Sequence, residues 1–204
     1  MRALFITWAW GSHYYPLVPF GWALRAAGHE VLVASQPSFA STITQAGLPA
    51  LPVGADLDIY GSLRKTYDGW RPSLDRTAAE KDARERKGVT SLQMAVNCAE
   101  AMAEQALEYA RIWQPDFVVY EPLGFLGPVL ADALGVPSMR LPWATDSARK
   151  IRHIEDELLG PLAHRIGADR ANILGDVTLD PCPPSLQVDQ KDVVRRPMRY
   201  VPYN

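Results

Sequence analysis

Short apolar runs with little alternation recur along the chain, each followed by residues at helical spacing. Ala3 to Thr7 is apolar almost throughout, the pattern of a strand buried on both faces, as in a parallel sheet. Leu17, Phe20, Leu24 and Ala27 then recur at helical spacing, with Pro16 and Pro19 confined to the first turn, where proline is tolerated. Gly28 is placed to cap that helix, and Val31 to Ala34 reads as a second strand. This predicts a βαβ unit whose first loop, Trp8 to His13, lies at the carboxyl end of its first strand. Open α/β sheets bind ligands at that edge.

The pattern continues with a short helix over Pro37 to Ala46, closed by Gly47, and a third strand over Pro49 to Val53. Asp56 to Gly88 interrupts it with eight Lys or Arg and seven Asp or Glu and no hydrophobic period. So long a stretch reads either as a solvated loop with a short helix or as a lid over a ligand. Val89 to Trp113 is the longest helical pattern and Pro115 ends it. Strands are predicted at Asp116 to Tyr120 and Val136 to Leu141, with an apolar helix over Leu123 to Leu134 between them, stopped by Gly135. Ser147 to Ile166 reads as an amphipathic helix carrying His153 and His164, both expected at the surface. From Asp176 onward five prolines and no helical period mark an extended linker. The fold expected is α/β: a Rossmann-like, mostly parallel sheet with helices on both faces, over residues 1–175, then a linker over 176–204.

The 48% hydrophobic and 22% charged composition is that of a globular domain. A net charge of −2, from 21 basic and 23 acidic side chains, gives no basic excess for nucleic acid. Cys98 and Cys182 lack metal-ligand or redox spacing and fit a reducing cytoplasm. No apolar run reaches the roughly 18–20 residues of a membrane span.

The first turn carries only Gly11, so neither G-x-G-x-x-G nor G-x-x-x-x-G-K-[ST] occurs there, and HExxH, CxxC and G-x-S-x-G are absent throughout. What remains is His13. An imidazole can take a proton from a hydroxyl near neutral pH, and a carboxylate on its other nitrogen would fix its tautomer. Glu121 and Asp146 follow the strands whose ends lie at the same edge, while Trp8, Trp10, Tyr14 and Trp143 can wall an apolar pocket. The alternative is that Ser12 and His13 only cap the helix and the aromatics are core. The residues leave both readings open.

TWAWGSHYYPLVPFGWALRAAGHEVLVASQP resembles the opening of the bacterial natural-product glycosyltransferases of the two-domain GT-B fold. DFVVYEPLG at Asp116 to Gly124, DPCPPSLQ and the terminal MRYVPYN resemble the same family in chain order. The resemblance implies the acceptor-binding N-terminal half, with the donor-binding C-terminal domain absent. It places His13 on the family's catalytic base and Glu121 where a partner carboxylate follows the fourth strand. Trp8, Trp10, Ser12, Tyr14, Trp143 and Asp146 then fall to the acceptor pocket. It further implies no tightly bound cofactor, a nucleotide-diphosphate deoxysugar as co-substrate, a polyketide-like aglycone as acceptor, and room for a homodimer. A non-catalytic acceptor-binding module and a flavodoxin-like nucleotide-binding enzyme stay open as alternatives.

Overall fold

The structure is a computed structural model that describes residues 1–59, 61, 62, 64, 78–146, 148–188 and 193–203, with the backbone alone for 78–90 and 149. Seven strands form one sheet: β1 (Arg2–Ile6), β2 (Glu30–Ser35), β3 (Ala50–Pro52), β4 (Phe117–Tyr120), β5 (Ser138–Arg140), β6 (Val177–Asp180) and β7 (Arg195–Pro197). Their order is β3-β2-β1-β4-β5-β6-β7 and every pairing is parallel. The helices whose bounds lie among the described residues are α1 (Gly11–Tyr14), α2 (Val18–Ala26), α3 (Ala40–Gln45), α4 (Ala78–Trp113), α5 (Leu126–Leu134) and α6 (Glu155–Ile166). Parallel neighbours require such crossovers.

Alternation along β1 shows why both faces are covered. Leu4 and Ile6 enter a core with α4, α5 and α6, whereas Ala3 and Phe5 enter another with residues of α2 and α3. All four are 2% exposed or less. Gly28 and Gly135 close α2 and α5 at φ of 83° and 67°, a region side chains other than glycine rarely occupy.

The structure differs from the sequence reading in four places. The expected first helix is divided into α1, a 3-10 turn at Tyr15–Leu17 and α2, because Pro16 cannot donate within a continuous helix. α4 begins at Ala78, inside the stretch read as lacking a period. Its first turns, AAEKDARERK, consist largely of strong helix formers, so propensity makes the helix where no apolar stripe announces it. Of the rest of that stretch, read as a loop or a lid, residues 60, 63 and 65–77 lie outside the described residues. The helix read over Ser147 to Ile166 opens as a 3-10 stretch at Ala148–Ile154 before α6. The proline-rich segment, expected as an extended linker, contributes two strands to the sheet, β6 and β7, with a turn over residues 184–186 after β6.

The flavodoxin-like alternative is corrected by strand order. That topology runs 2-1-3-4-5, whereas here β1 lies between β2 and β4 in a 3-2-1-4-5-6-7 sheet. No helix among the described residues is long and apolar enough to cross a membrane.

Candidate functional site

From β1 the chain crosses to β2 on one side, and on the other side β1 faces β4, so the loops after β1 and β4 diverge and leave a crevice between them. Ile6 and Tyr120 stand opposite each other in the register, which brings residues beyond each strand end into contact. His13 and Glu121 are the outcome: His13 Nδ1 lies 3.0 Å from Glu121 Oε2.

Local structure fixes each partner. After β1, Ala9 N–H donates to Gln36 Oε1 at 2.8 Å, tying the loop to the end of β2. Trp10 then enters α1 in extended conformation, and His13 N–H donates to Trp10 O at 3.1 Å. No side chain caps α1, and Ser12 is exposed. The capping alternative for Ser12 and His13 therefore fails. On the other loop, Gly124 N–H donates to Glu121 O at 2.8 Å and Leu123 N–H to Glu121 Oε2 at 2.8 Å. A Cβ on Gly124 would sit 3.1 Å from Ile6 O, so the tight turn that folds the Glu121 carboxylate back on itself favours glycine. Glu121 is fully buried, and its Oε1 has no hydrogen-bond partner among the described residues.

Aromatic rings enclose the imidazole. Trp8 meets it edge-on with centroids 5.0 Å apart and stacks on Trp10 at 5.8 Å, while Trp143 lies 4.4 Å from it on another side. Trp143 is also a wall of a cavity of about 400 Å³, shared with Leu92, Leu123, Pro142 and Ile151, with Ser91, Thr145 and Lys150 as polar contributors. A smaller cavity of about 150 Å³ lies against Trp143 as well, bounded by Phe20, Met198 and Tyr200. A large, mostly apolar hollow beside one histidine can seat an apolar molecule and leave a hydroxyl facing the ring.

Of the residues singled out from sequence, Trp8, Trp10, His13, Glu121 and Trp143 come together. Tyr14 does not, and its assignment to the pocket is corrected: it is fully buried, its hydroxyl donates to Ile43 O at 3.3 Å, and its ring packs edge-on against Phe39. Burial also raises its phenol well above the usual tyrosine range. In α1 the neighbour of His13 must point elsewhere, and here it points into the core. Asp146 lines the cavity, but its carboxylate is held by buried Arg140 through two hydrogen bonds, at 3.0 and 2.5 Å, and reached by Arg195 at 3.3 Å. It shapes the loop. His153 and His164 are exposed.

Sequence reasoning missed Arg140, Gln36 and Gln187. A signal existed for the first: an arginine in an otherwise apolar strand needs a carboxylate, and Asp146 stands six residues on. Gln187 donates to both carboxylate oxygens of Asp180 and accepts from Asp146 N–H at 2.8 Å, a link no local pattern carries.

The 10-deoxymethynolide desosaminyltransferase of Streptomyces venezuelae is 37% identical to this chain, over all of it and 54% of that relative. The glycosyltransferase VinC in complex with dTDP matches at 31% identity and a TM-score of 0.75, over all of this chain and 54% of that one. The spinosyn rhamnosyltransferase SpnG complexed with spinosyn aglycone matches at 27% identity and a TM-score of 0.72, over all of this chain and 51% of that one. The chain thus spans about half the length of the curated relatives it matches. The family described as erythromycin biosynthesis protein CIII-like, N-terminal domain, matches residues 22–204. By that match, which covers most of its length, the chain belongs to this family.

Proposed function

We propose that this chain is the acceptor-binding half of an inverting, cytoplasmic glycosyltransferase that moves a deoxysugar from a nucleotide diphosphate to a hydroxyl of a polyketide-like natural product. The observation that carries the reading is His13, backed at Nδ1 by buried Glu121 and bordered by the Trp143 wall of an apolar cavity. In the Nδ1–H tautomer Nε2 carries the lone pair. It removes the proton of an acceptor hydroxyl as that oxygen forms its bond to the anomeric carbon. The bond from that carbon to the diphosphate oxygen breaks on the opposite face, so the configuration inverts and the nucleoside diphosphate leaves.

Holding the leaving group in line supplies much of such a rate. The sequence has no phosphate-gripping glycine motif, and the chain spans only about half of its relatives. Alone, it transfers no sugar in this reading, and a donor-binding half grips the nucleotide. The dTDP of VinC and the aglycone of SpnG are in keeping with these two ligands. No tightly bound cofactor or metal is part of the chemistry.

Thermal-shift measurements on the 204-residue chain test the ligand class. Macrolide or aromatic polyketide aglycones should raise the melting temperature, and FMN or NAD should not. Stabilisation by the nucleotides alone would overturn the acceptor reading. Aglycone binding without sugar transfer, even when a relative's donor half is supplied, would leave only a non-catalytic binding module.

A further inference from the structure

Two groups of opposite character converge on one atom. Trp8 Nε1 and Glu121 Oε2 each lie 3.0 Å from His13 Nδ1. A neutral imidazole nitrogen has a single in-plane position, filled either by a proton or by a lone pair. The indole N–H can only donate, and a carboxylate can only accept. Nδ1 therefore satisfies one partner at a time. Bare, it accepts from Trp8. Protonated, it donates to Glu121.

The two partners differ in what they lose. Glu121 Oε2 keeps the Leu123 N–H in either case. Trp8 is 5% exposed, and among the described residues its N–H has no acceptor other than Nδ1. The Nδ1–H form thus leaves a buried donor unpaired, which is costly. The Nε2–H form has its own cost: it turns the Nδ1 lone pair toward Glu121 Oε2 and leaves the buried carboxylate with the Leu123 N–H as its one donor among the described residues.

We propose that Trp8 is a positioning residue that holds part of the His13 population in the Nε2–H tautomer, in opposition to Glu121, which holds the remainder in the Nδ1–H form. The consequence rests on His13 being the base. In the Nε2–H form no lone pair faces the acceptor, and the base is idle. A hydroxyl arriving at Nε2 draws the ring to the Nδ1–H form by a shift of one proton between the nitrogens, with no change in charge. Acceptor binding thereby completes the base, and Trp8 sets how much of it is ready beforehand.

The tautomer ratio is measurable without catalysis. Long-range proton–nitrogen correlation spectra of the uniformly ¹⁵N-labelled chain, recorded at about pH 8.5, two units above the ordinary imidazole value, resolve the two neutral forms. The His13 signals, among those of four histidines, are identified by their loss in His13→Gln. Unaltered protein should show both tautomers. Trp8→Phe keeps a ring and removes the N–H, and should move the ratio toward Nδ1–H by about two- to tenfold, the effect of one neutral hydrogen bond. A nitrogen–nitrogen coupling across the hydrogen bond from Trp8 Nε1 to His13 Nδ1 should also appear in the unaltered chain, and it decides the matter if Trp8→Phe does not fold. A pure Nδ1–H ring without that coupling, or a ratio unmoved by Trp8→Phe, overturns the proposal. Failure of the glycosyltransferase reading would instead appear as absent sugar transfer in the assembled enzyme, with the tautomer ratio unaffected.

Discussion

Arg140 and Asp146 form a two-pronged ion pair at the end of β5, with both side chains withdrawn from solvent. Arg140 also donates to Thr178 Oγ1 at 3.0 Å, and Arg195 of β7 reaches both Asp146 and Asp180. Gln187 spans the same two acidic residues from the proline-rich segment. The loop that carries Trp143 is thereby fastened to β5 through Arg140 and to Gln187 and Arg195. Cavity wall and extended segment share one charged network.

Asp146→Ala removes the acceptor of a buried guanidinium. The loss of one partner of such a pair costs about 3–5 kcal/mol, since the remaining charge stays desolvated. Urea unfolding of the 204-residue chain should show a loss in that range, and pairing Asp146→Leu with Arg140→Met should recover most of it. A loss under about 1 kcal/mol, the worth of an exposed pair, would mean that the network does not hold the loop.

Glu155 opens α6 in a buried position, where its Oε1 accepts the Ile173 N–H at 3.0 Å. Burial raises its carboxyl above the ordinary range. A raised acid binds protons in the folded state at a pH where the unfolded chain has released them, so stability falls as pH rises through that window. Glu155→Gln keeps an oxygen for Ile173 and removes the charge. Its melting temperature relative to the unaltered chain should therefore improve between acidic and neutral pH. Equal differences at both pH values would sink the assignment.

Cys98 is buried on α4 and its thiol is pushed up to about 11 by that burial, whereas Cys182 is partly exposed. The thiolate is the reactive form. Iodoacetamide at mildly alkaline pH should label native Cys182 and spare Cys98 until denaturant is added, as read by peptide mass spectrometry. Rapid native labelling of Cys98 would show that α4 opens locally.

His13→Ala, in enzyme completed by a donor half, should lower turnover by roughly 10²–10⁴-fold, the span of a general base. Acceptor affinity should change little if, as proposed, the cavity walls do the binding. Glu121→Gln should lose less, since an amide can still orient the ring. Full activity of His13→Ala would remove the base assignment.

Much of this was legible in the sequence because it depends on neighbours along the chain. The apolar runs at Ala3 to Thr7 and Asp116 to Tyr120 marked buried strands, and helical spacing between such runs marked crossovers. That pattern permits little besides a parallel sheet with helices on both faces. Gly28 and Gly135 marked helix ends because few other residues turn the chain there. His13 stood out as a histidine in the first loop beyond a buried strand.

Residue spacing by itself left open which strand ends meet, and only the family resemblance pointed to Glu121. That Glu121 rather than Asp146 reaches His13 follows from β4, not β5, lying beside β1. Strand order is a long-range choice that no local period encodes. Tyr14 was lost to the core because one step along a short helix turns a side chain by about 100°. Asp146 was claimed by Arg140, and two pieces of the proline-rich segment joined the sheet as β6 and β7, each through partners far apart in the chain or on another element. Residue spacing determined that a sheet edge with a histidine and nearby tryptophans would exist, and the family resemblance pointed to Glu121 as its carboxylate; only tertiary packing decided which nitrogen of that histidine Glu121 and Trp8 would face and at what distance, because those contacts depend on elements that become neighbours only when the chain has folded.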